Sequence, residues 1–175
     1  MRAVLEDRFR KAEGSIEAAL YCIDDAEIVR ILSKKAVSGV SVRLVLDESQ
    51  VKEPSCSMQH QKMIELLEWG VVLHKLKAGS GFAILHHKMW IVDGETFFSG
   101  SVNPTHNGLT NNVEHLLEIK GAEAVNAALV HLNELFERST LITKAFVSER
   151  VYMRLERRER QEQQRRSASA SAKRG

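Results

Sequence analysis

No run among the 175 residues approaches the roughly eighteen apolar positions that span a bilayer, so no membrane-crossing segment is expected. Aromatic residues are scarce, at 6%. Two cysteines, Cys22 and Cys56, are too few for a disulfide framework. Neither lies in a C-x-x-C pair or at a ligand spacing from a histidine, which argues against structural zinc. Cys22 falls in a strand-like run and reads as a small core residue. Cys56, in Pro54-Ser-Cys-Ser57, reads as an exposed loop residue without a partner. With no disulfide chemistry in view, a reducing, intracellular compartment is the default. The first residues are too acidic for a transit peptide (Glu6, Asp7 and Glu13 among the basic positions), and no apolar h-region follows. Membrane association would need an anchor outside this stretch.

What is present is unevenly charged. The net charge of +2 conceals a basic end: Glu149 to Arg174 holds nine Lys/Arg against four Asp/Glu, while the first 148 residues carry a net −3. Bulk charge therefore does not make the body a nucleic-acid-binding domain, whereas the extension is suited to anionic surfaces.

Apolar periodicity predicts a helix over 2–12, a strand over 15–23, a helix from Asp24 or Asp25 to Ser38, and a strand over 40–46. Strand, helix and strand with short joins predict a βαβ unit with parallel strands. A polar loop over 47–57 leaves the second strand's carboxyl end, where α/β proteins place ligands. A helix over 58–69, a strand over 71–76 and a flexible loop at Lys77–Gly81 follow. Strands over 82–92 and 96–99 flank Asp93-Gly94, a strong hairpin signal. A long loop over 100–112, a strand over 112–119 and an amphipathic helix over 122–138 complete the pattern. The fold class is α/β, a mixed β-sheet flanked by helices on both faces. One domain is expected over 1–147, then a basic helical extension over 148–175 ending in a Ser-Ala repeat (167–172) whose composition predicts disorder.

Chemistry concentrates in one stretch. His86, Lys88 and Asp93 spell H-x-K-x4-D, and Gly100-Ser101-x-Asn103 begins seven residues past Asp93. In a strand, residues two apart share a face, so His86 and Lys88 point together while His87 points away and reads as a buried, hydrogen-bonded neighbour. An imidazole attacking phosphorus needs a cation holding the anionic oxygens, and Lys88 supplies it. Ser101 and Asn103 can return donors to the same phosphate. Asp93 precedes Gly94, and turn chemistry alone accounts for it. Of the other histidines, His74 and His115 read as packing or edge residues, and His60 and His131 lie on helices. His106 follows Asn103 and is placed to touch substrate. Trp90 reads as core. Tyr21 and Asp47, near the ends of the first two strands, are candidates for a groove rim.

These residues resemble the phospholipase D superfamily, whose H-x-K-x4-D and G-S-x-N motifs match His86, Lys88, Asp93, Gly100, Ser101 and Asn103. A later glutamate of the family matches Glu114, in Asn111-Asn-Val-Glu114. The likeness covers roughly 3–139 and is nearest the single-motif branch of bacterial endonucleases and mitochondrial cardiolipin hydrolases. It implies two-step hydrolysis of a phosphodiester through a phosphohistidine, with no cofactor or metal. One histidine attacks, and a second protonates the leaving oxygen and then activates water. The chain holds one motif and no internal repeat, so the second histidine must come from another copy, as in a C2 homodimer sharing one groove. The resemblance implies catalytic or phosphate-holding roles for His86, Lys88, Ser101 and Asn103, with Glu114 orienting an imidazole and Asp93 as structural support. Nucleic acid is the favoured substrate over phospholipid. A non-catalytic scaffold of the same fold is the third reading, and the intact motif counts against it. The zinc-binding insertion of some anchored relatives is absent.

Overall fold

A computed structural model describes residues 1–56, 58–81 and 83–172. In chain order these form α1 (Arg2–Lys11), β1 (Ser15–Leu20), α2 (Ala26–Val37), β2 (Ser41–Asp47), α3 (Glu48–Lys52), α4 (Gln59–Glu68), β3 (Val72–Leu76) and β4 (Lys88–Val92). There follow β5 (Thr96–Gly100), α5 (His106–Thr110), β6 (Leu116–Lys120), α6 (Ala122–Glu137), β7 (Thr140–Leu141) and α7 (Lys144–Ala172). The strands make one mixed sheet in the order β6-β5-β4-β1-β2-β3-β7. As expected, β1 and β2 pair in parallel, and β3 continues that parallel set. β4, β5 and β6 add antiparallel on one side, and β7 closes the other.

Burial explains why helices sit on both faces. Leu20, Trp90 and Val92 pack into a core with α1, α2 and α4, while Ala19, Met89 and Ile91 face the opposite way into a core with α6. The sheet interior is apolar on both faces, the condition that requires two covering layers. Asp25 caps α2 by accepting from the Glu27 and Ile28 N–H groups, and Arg2 grips the same carboxylate with Nη atoms at 2.6 and 3.0 Å, tying α1 to α2.

Three expectations need correction. The strand expected over 82–92 is paired only from Lys88. Phe82 lies outside the described residues, and upstream of Lys88 the Leu85 N–H turns from a ladder bond to the Asp47 carboxylate at 2.7 Å. The loops expected over 47–57 and 100–112 each contain a short helix, capped by Asp47 and Thr105. Ser57 lies outside the described residues. The backbone of α7 is helical through the Ser-Ala repeat, where composition predicts disorder. Alanine, the strongest helix former, there follows a Glu/Arg/Gln run that also favours helix. α7 packs on α4, and Val147 near its start is buried in the core. Among the described residues no helix is long and apolar enough to cross a membrane.

Candidate active site

Strand direction gathers the motif. Because β4 runs antiparallel to β1, its first residue sits beside the last of β1, Lys88 opposite Leu20. β5 returns to the same end, and Gly100 stands opposite Leu116 at the start of β6. One end of the sheet therefore collects Tyr21–Asp25, His86–Lys88, Gly100–Asn103 and Glu114–Leu116. It is the carboxyl end of the parallel strands, where α/β sheets place ligands.

Lys88 is only 6% exposed, and its Nζ donates to the His86 carbonyl at 2.9 Å. Burial pushes its pKa below the ordinary lysine value, against the opposing pull of Cys22 and Glu114. An ammonium offers three hydrogens, so donors remain for anionic oxygens arriving from the cleft. The His86 imidazole is exposed, and its ring meets Tyr21 edge-on with centroids 5.0 Å apart. The Tyr21 hydroxyl is held by Gln50 Nε2 at 2.7 Å, and Lys88 Nζ lies 5.5 Å from the Tyr21 ring. A buried cation and an accessible imidazole thus share one aromatic wall.

Gly100 is glycine for a steric reason. A Cβ there would stand 2.2 Å from the His115 carbonyl oxygen, so any side chain would force β5 and β6 apart. That close approach lets the Ser101 N–H donate to the His115 carbonyl at 3.2 Å and Ser101 Oγ accept from the His115 N–H at 3.1 Å. Ser101 Oγ also donates to Glu114, and Asn112 Nδ2 donates to the other Glu114 oxygen at 3.1 Å. The hydrogen bond from Ser101, then that from Asn112, holds the Glu114 carboxyl below the ordinary glutamate pKa, with Lys88 adding to the effect. Glu114 therefore bonds Ser101 and Asn112, not an imidazole of its own chain, among the described residues.

Asn103 lies in the loop after Ser101, and that loop is pinned over the end of β1. The Pro104 carbonyl accepts from the Asp24 and Asp25 N–H groups at 3.2 and 3.1 Å, and Asp24 Oδ1 accepts from the His106 N–H at 3.0 Å. The Asn103 side-chain oxygen is buried without a partner among the described residues. A buried polar atom left unpaired is costly in a native site unless something arrives to meet it. No hydrogen bond joins its amide to His86 or Lys88 in this chain, among the described residues.

Asp93 does not join this group. It sits past the far end of β4, about 16 Å along the strand from Lys88. Its carboxylate accepts from the backbone N–H groups of Glu13, Gly14 and Ser15 at 2.7–3.2 Å. With φ at 53° for Asp93 and 65° for Gly94, the turn is the mirror-type hairpin that Asp-Gly favours. Asp93, expected as structural support, accordingly stands at the turn and apart from the other motif residues.

His87 meets His131 of α6, although it shares a cleft with His86. Its Nε2 lies 2.9 Å from Nε2 of His131, and burial, then His131, holds its pKa below the ordinary histidine value. The two line a cleft of about 490 Å³ with His86, Lys88, Phe97 and Ser99. Tyr21 reaches the site as expected. Asp47 works behind it, fixing the segment that carries His86 through the Leu85 N–H. His106 is exposed beside a second cleft, with Asp24 and Cys56. Trp90 is core against Phe9, His60 is buried against the Val51 carbonyl, and His74 meets Ser139. His131, Gln50 and the approach of Cys56 to Cys22 had no local sequence signal, since each depends on chain segments far apart. Among the described residues no cluster of three or more His, Cys, Asp or Glu could hold a metal ion.

Comparison with known proteins shows the family. A family model described as "Cardiolipin synthase, PLD-like domain" matches residues 5–138. The chain belongs to that family of PLD-like domains. It is 28% identical over 119 residues to the DISARM protein DrmC of Bacillus paralicheniformis, covering 64% of this chain and 46% of that protein. It is 29% identical over 137 residues to a phospholipase D of Rickettsia prowazekii, covering 76% and 60%. The chain thus spans roughly half to three-fifths of these relatives. Among solved structures it is similar to Nuc of Salmonella typhimurium, a phospholipase D family member, with a TM-score of 0.71 and 24% identity over 81% of this chain and 90% of that one.

Proposed function

We propose that this protein hydrolyses phosphodiesters through a phosphohistidine, with nucleic acid as substrate. The observation that carries the reading is the exposed His86 imidazole beside a buried ammonium, Lys88, which has donors to spare. In the first step the imidazole attacks phosphorus, and the bond to the leaving oxygen breaks. Lys88, Ser101 and Asn103 hold the phosphate oxygens as charge builds on them. Asn103, on the loop after Ser101, supplies its amide hydrogens to the phosphate. In the second step water displaces the histidine. A second imidazole protonates the leaving oxygen and then deprotonates that water, work suited to a group titrating near neutrality.

One chain supplies one such histidine, so the active form is a two-fold dimer with His86 of each copy in one groove. Glu114, unbonded to an imidazole among the described residues of its own chain, then orients the partner subunit's His86. Lys88 provides the positive charge that a metal would otherwise bring, so turnover survives EDTA. The nuclease reading is supported by the accessible position of His86, which admits a bulky polymer, and by the basic extension on α7, which adds sequence-independent attraction for phosphates. A second reading, cleavage of phospholipids such as cardiolipin, is favoured by the description of the matching family and by the name of the Rickettsia relative. The test is a parallel assay on single-stranded DNA, RNA and cardiolipin vesicles, with His86→Ala as the blank. Cleavage of the nucleic acids alone is expected. Release of phosphatidic acid from vesicles with intact DNA and RNA would replace the first reading by the second.

A further inference from the structure

The two cysteines, 34 positions apart in sequence, meet beside the site. Their Sγ atoms are 3.0 Å apart and both are free thiols. That is about 1 Å longer than a disulfide bond, so closure needs only a small approach. Cys22 is buried directly after Tyr21, while Cys56 is half-buried and lines the cleft shared with Asp24, Met58 and His106.

The surroundings of this pair lead to His86 by two routes. Tyr21, whose ring stands against His86, is the residue before Cys22. Its hydroxyl is held by Gln50, and the Gln50 side-chain oxygen accepts from the Ser55 N–H at 2.8 Å and its hydroxyl at 2.6 Å, next to Cys56. Gln59 closes the frame, accepting from the Ile23 N–H at 3.1 Å and donating to the Gln50 carbonyl at 2.9 Å. The α3–α4 connection is therefore laced over the end of β1, and the sulfurs are its unjoined fastening.

We propose that Cys22 and Cys56 are a peroxide-sensitive dithiol whose reversible disulfide clamps the α3–α4 connection onto β1 and thereby controls the Tyr21 wall against His86. The hydrogen bond between the thiols, then burial, pushes the Cys22 pKa up, while the same hydrogen bond brings that of Cys56 down, so Cys56 is the more readily ionised. Its thiolate attacks one oxygen of hydrogen peroxide. The S–O bond forms, the O–O bond breaks, and the departing hydroxide takes a proton to become water. Cys22 sulfur then attacks the Cys56 sulfenic sulfur, forming S–S and breaking S–O. The second hydroxide leaves as water with the Cys22 proton. Two thiols lose two electrons and two protons, and the peroxide is reduced to two waters.

The redox part of this inference stands apart from the proposed activity, while its effect on turnover rests on that reading. The full-length protein is treated with a slight excess of hydrogen peroxide and followed by intact mass and thiol titration. The expected product is a monomeric chain lighter by the mass of two hydrogens, with no titratable thiol, restored by dithiothreitol. Its Tm should rise by about 5 °C through closure of the loop between the two residues. Cys22→Ser should stop at the sulfenic acid, trapped by dimedone at Cys56, and Cys56→Ser should keep its remaining thiol. Turnover of bis-p-nitrophenyl phosphate should differ at least threefold between oxidised and reduced wild type, and peroxide should leave turnover of Cys56→Ser unaltered. Two intact thiols after treatment, or linkage only between chains, would overturn the dithiol. A formed disulfide with equal turnover in both states would overturn control of the Tyr21 wall. If neither form turns over, hydrogen exchange of Tyr21 and Ile23 reads the clamp, and equal protection in both states overturns it.

Discussion

The two ends of β4 belong to one sequence motif but have different chemistry. At the start, Lys88 is buried with a lowered pKa and unspent donors, His86 is exposed, and the nearby Asn103 oxygen has no partner among the described residues. Past the far end, Asp93 is engaged by three backbone N–H groups. Groups left with unused hydrogen-bonding capacity belong to a site that awaits a ligand, and a group already bonded to the backbone belongs to the frame. The contrast predicts that changes at the start of β4 remove activity and spare stability, while changes past its end do the reverse.

The largest effects fall at the start. His86→Ala should lower turnover of bis-p-nitrophenyl phosphate by about a thousandfold or more, with Tm unchanged, because an exposed imidazole outside the sheet's hydrogen-bond ladder contributes little to folding. Lys88→Met should abolish turnover as fully and raise stability by roughly 1 kcal/mol, since a buried ammonium is replaced by an apolar chain of similar shape. Calorimetry checks the sign, and a loss of stability in Lys88→Met would show that Lys88 is part of the frame.

Past the far end the order inverts. Asp93→Ala removes charge-assisted hydrogen bonds to three N–H groups and places alanine at a positive φ, and should cost about 2–3 kcal/mol by denaturant titration. Turnover per folded molecule should stay within about threefold of wild type. Burial pushes the Asp93 carboxyl up, but the N–H groups of Ser15, Gly14 and Glu13 together outweigh it, so its folded pKa lies below the unfolded value. The stability it contributes is therefore present above about pH 4 and is lost as pH falls through the folded pKa. The acid-unfolding slope should flatten in Asp93→Asn, which retains tolerance for positive φ without the charge.

How much of this was legible depended on whether the cause was local. The alternation of β1, a cap at Asp24 or Asp25 and the Asp93-Gly94 turn are decided within a few residues, so they could be read directly. The length of the strand before Lys88 could not be read, because it is decided by Asp47, a residue 38 positions from Leu85, taking the Leu85 N–H. The role of Gly100 likewise depends on the His115 carbonyl of the neighbouring strand, and Cys56 looked unpartnered because Cys22 lies on another element. The motif supplied the members of the site. The sheet, which only long-range pairing defines, supplied their arrangement and moved Asp93 out of it.

Ser101 gives the smallest and finest test of the contrast, since it is part of both frame and site. It stitches β5 to β6 through the His115 N–H, yet its hydroxyl also holds Glu114. Ser101→Ala should cost about 1 kcal/mol of stability and reduce turnover roughly tenfold at neutral pH. The informative quantity is the acid limb of the pH–rate profile. The Ser101 hydrogen bond is the leading cause of the low Glu114 pKa, so its loss lets that pKa rise towards the ordinary glutamate value. If ionised Glu114 orients the imidazole, the acid limb should move to higher pH in Ser101→Ala and disappear in Glu114→Gln. A limb that stays in place while turnover falls would mean that Ser101 serves the phosphate alone, and Glu114 would then belong with Asp93 in the frame.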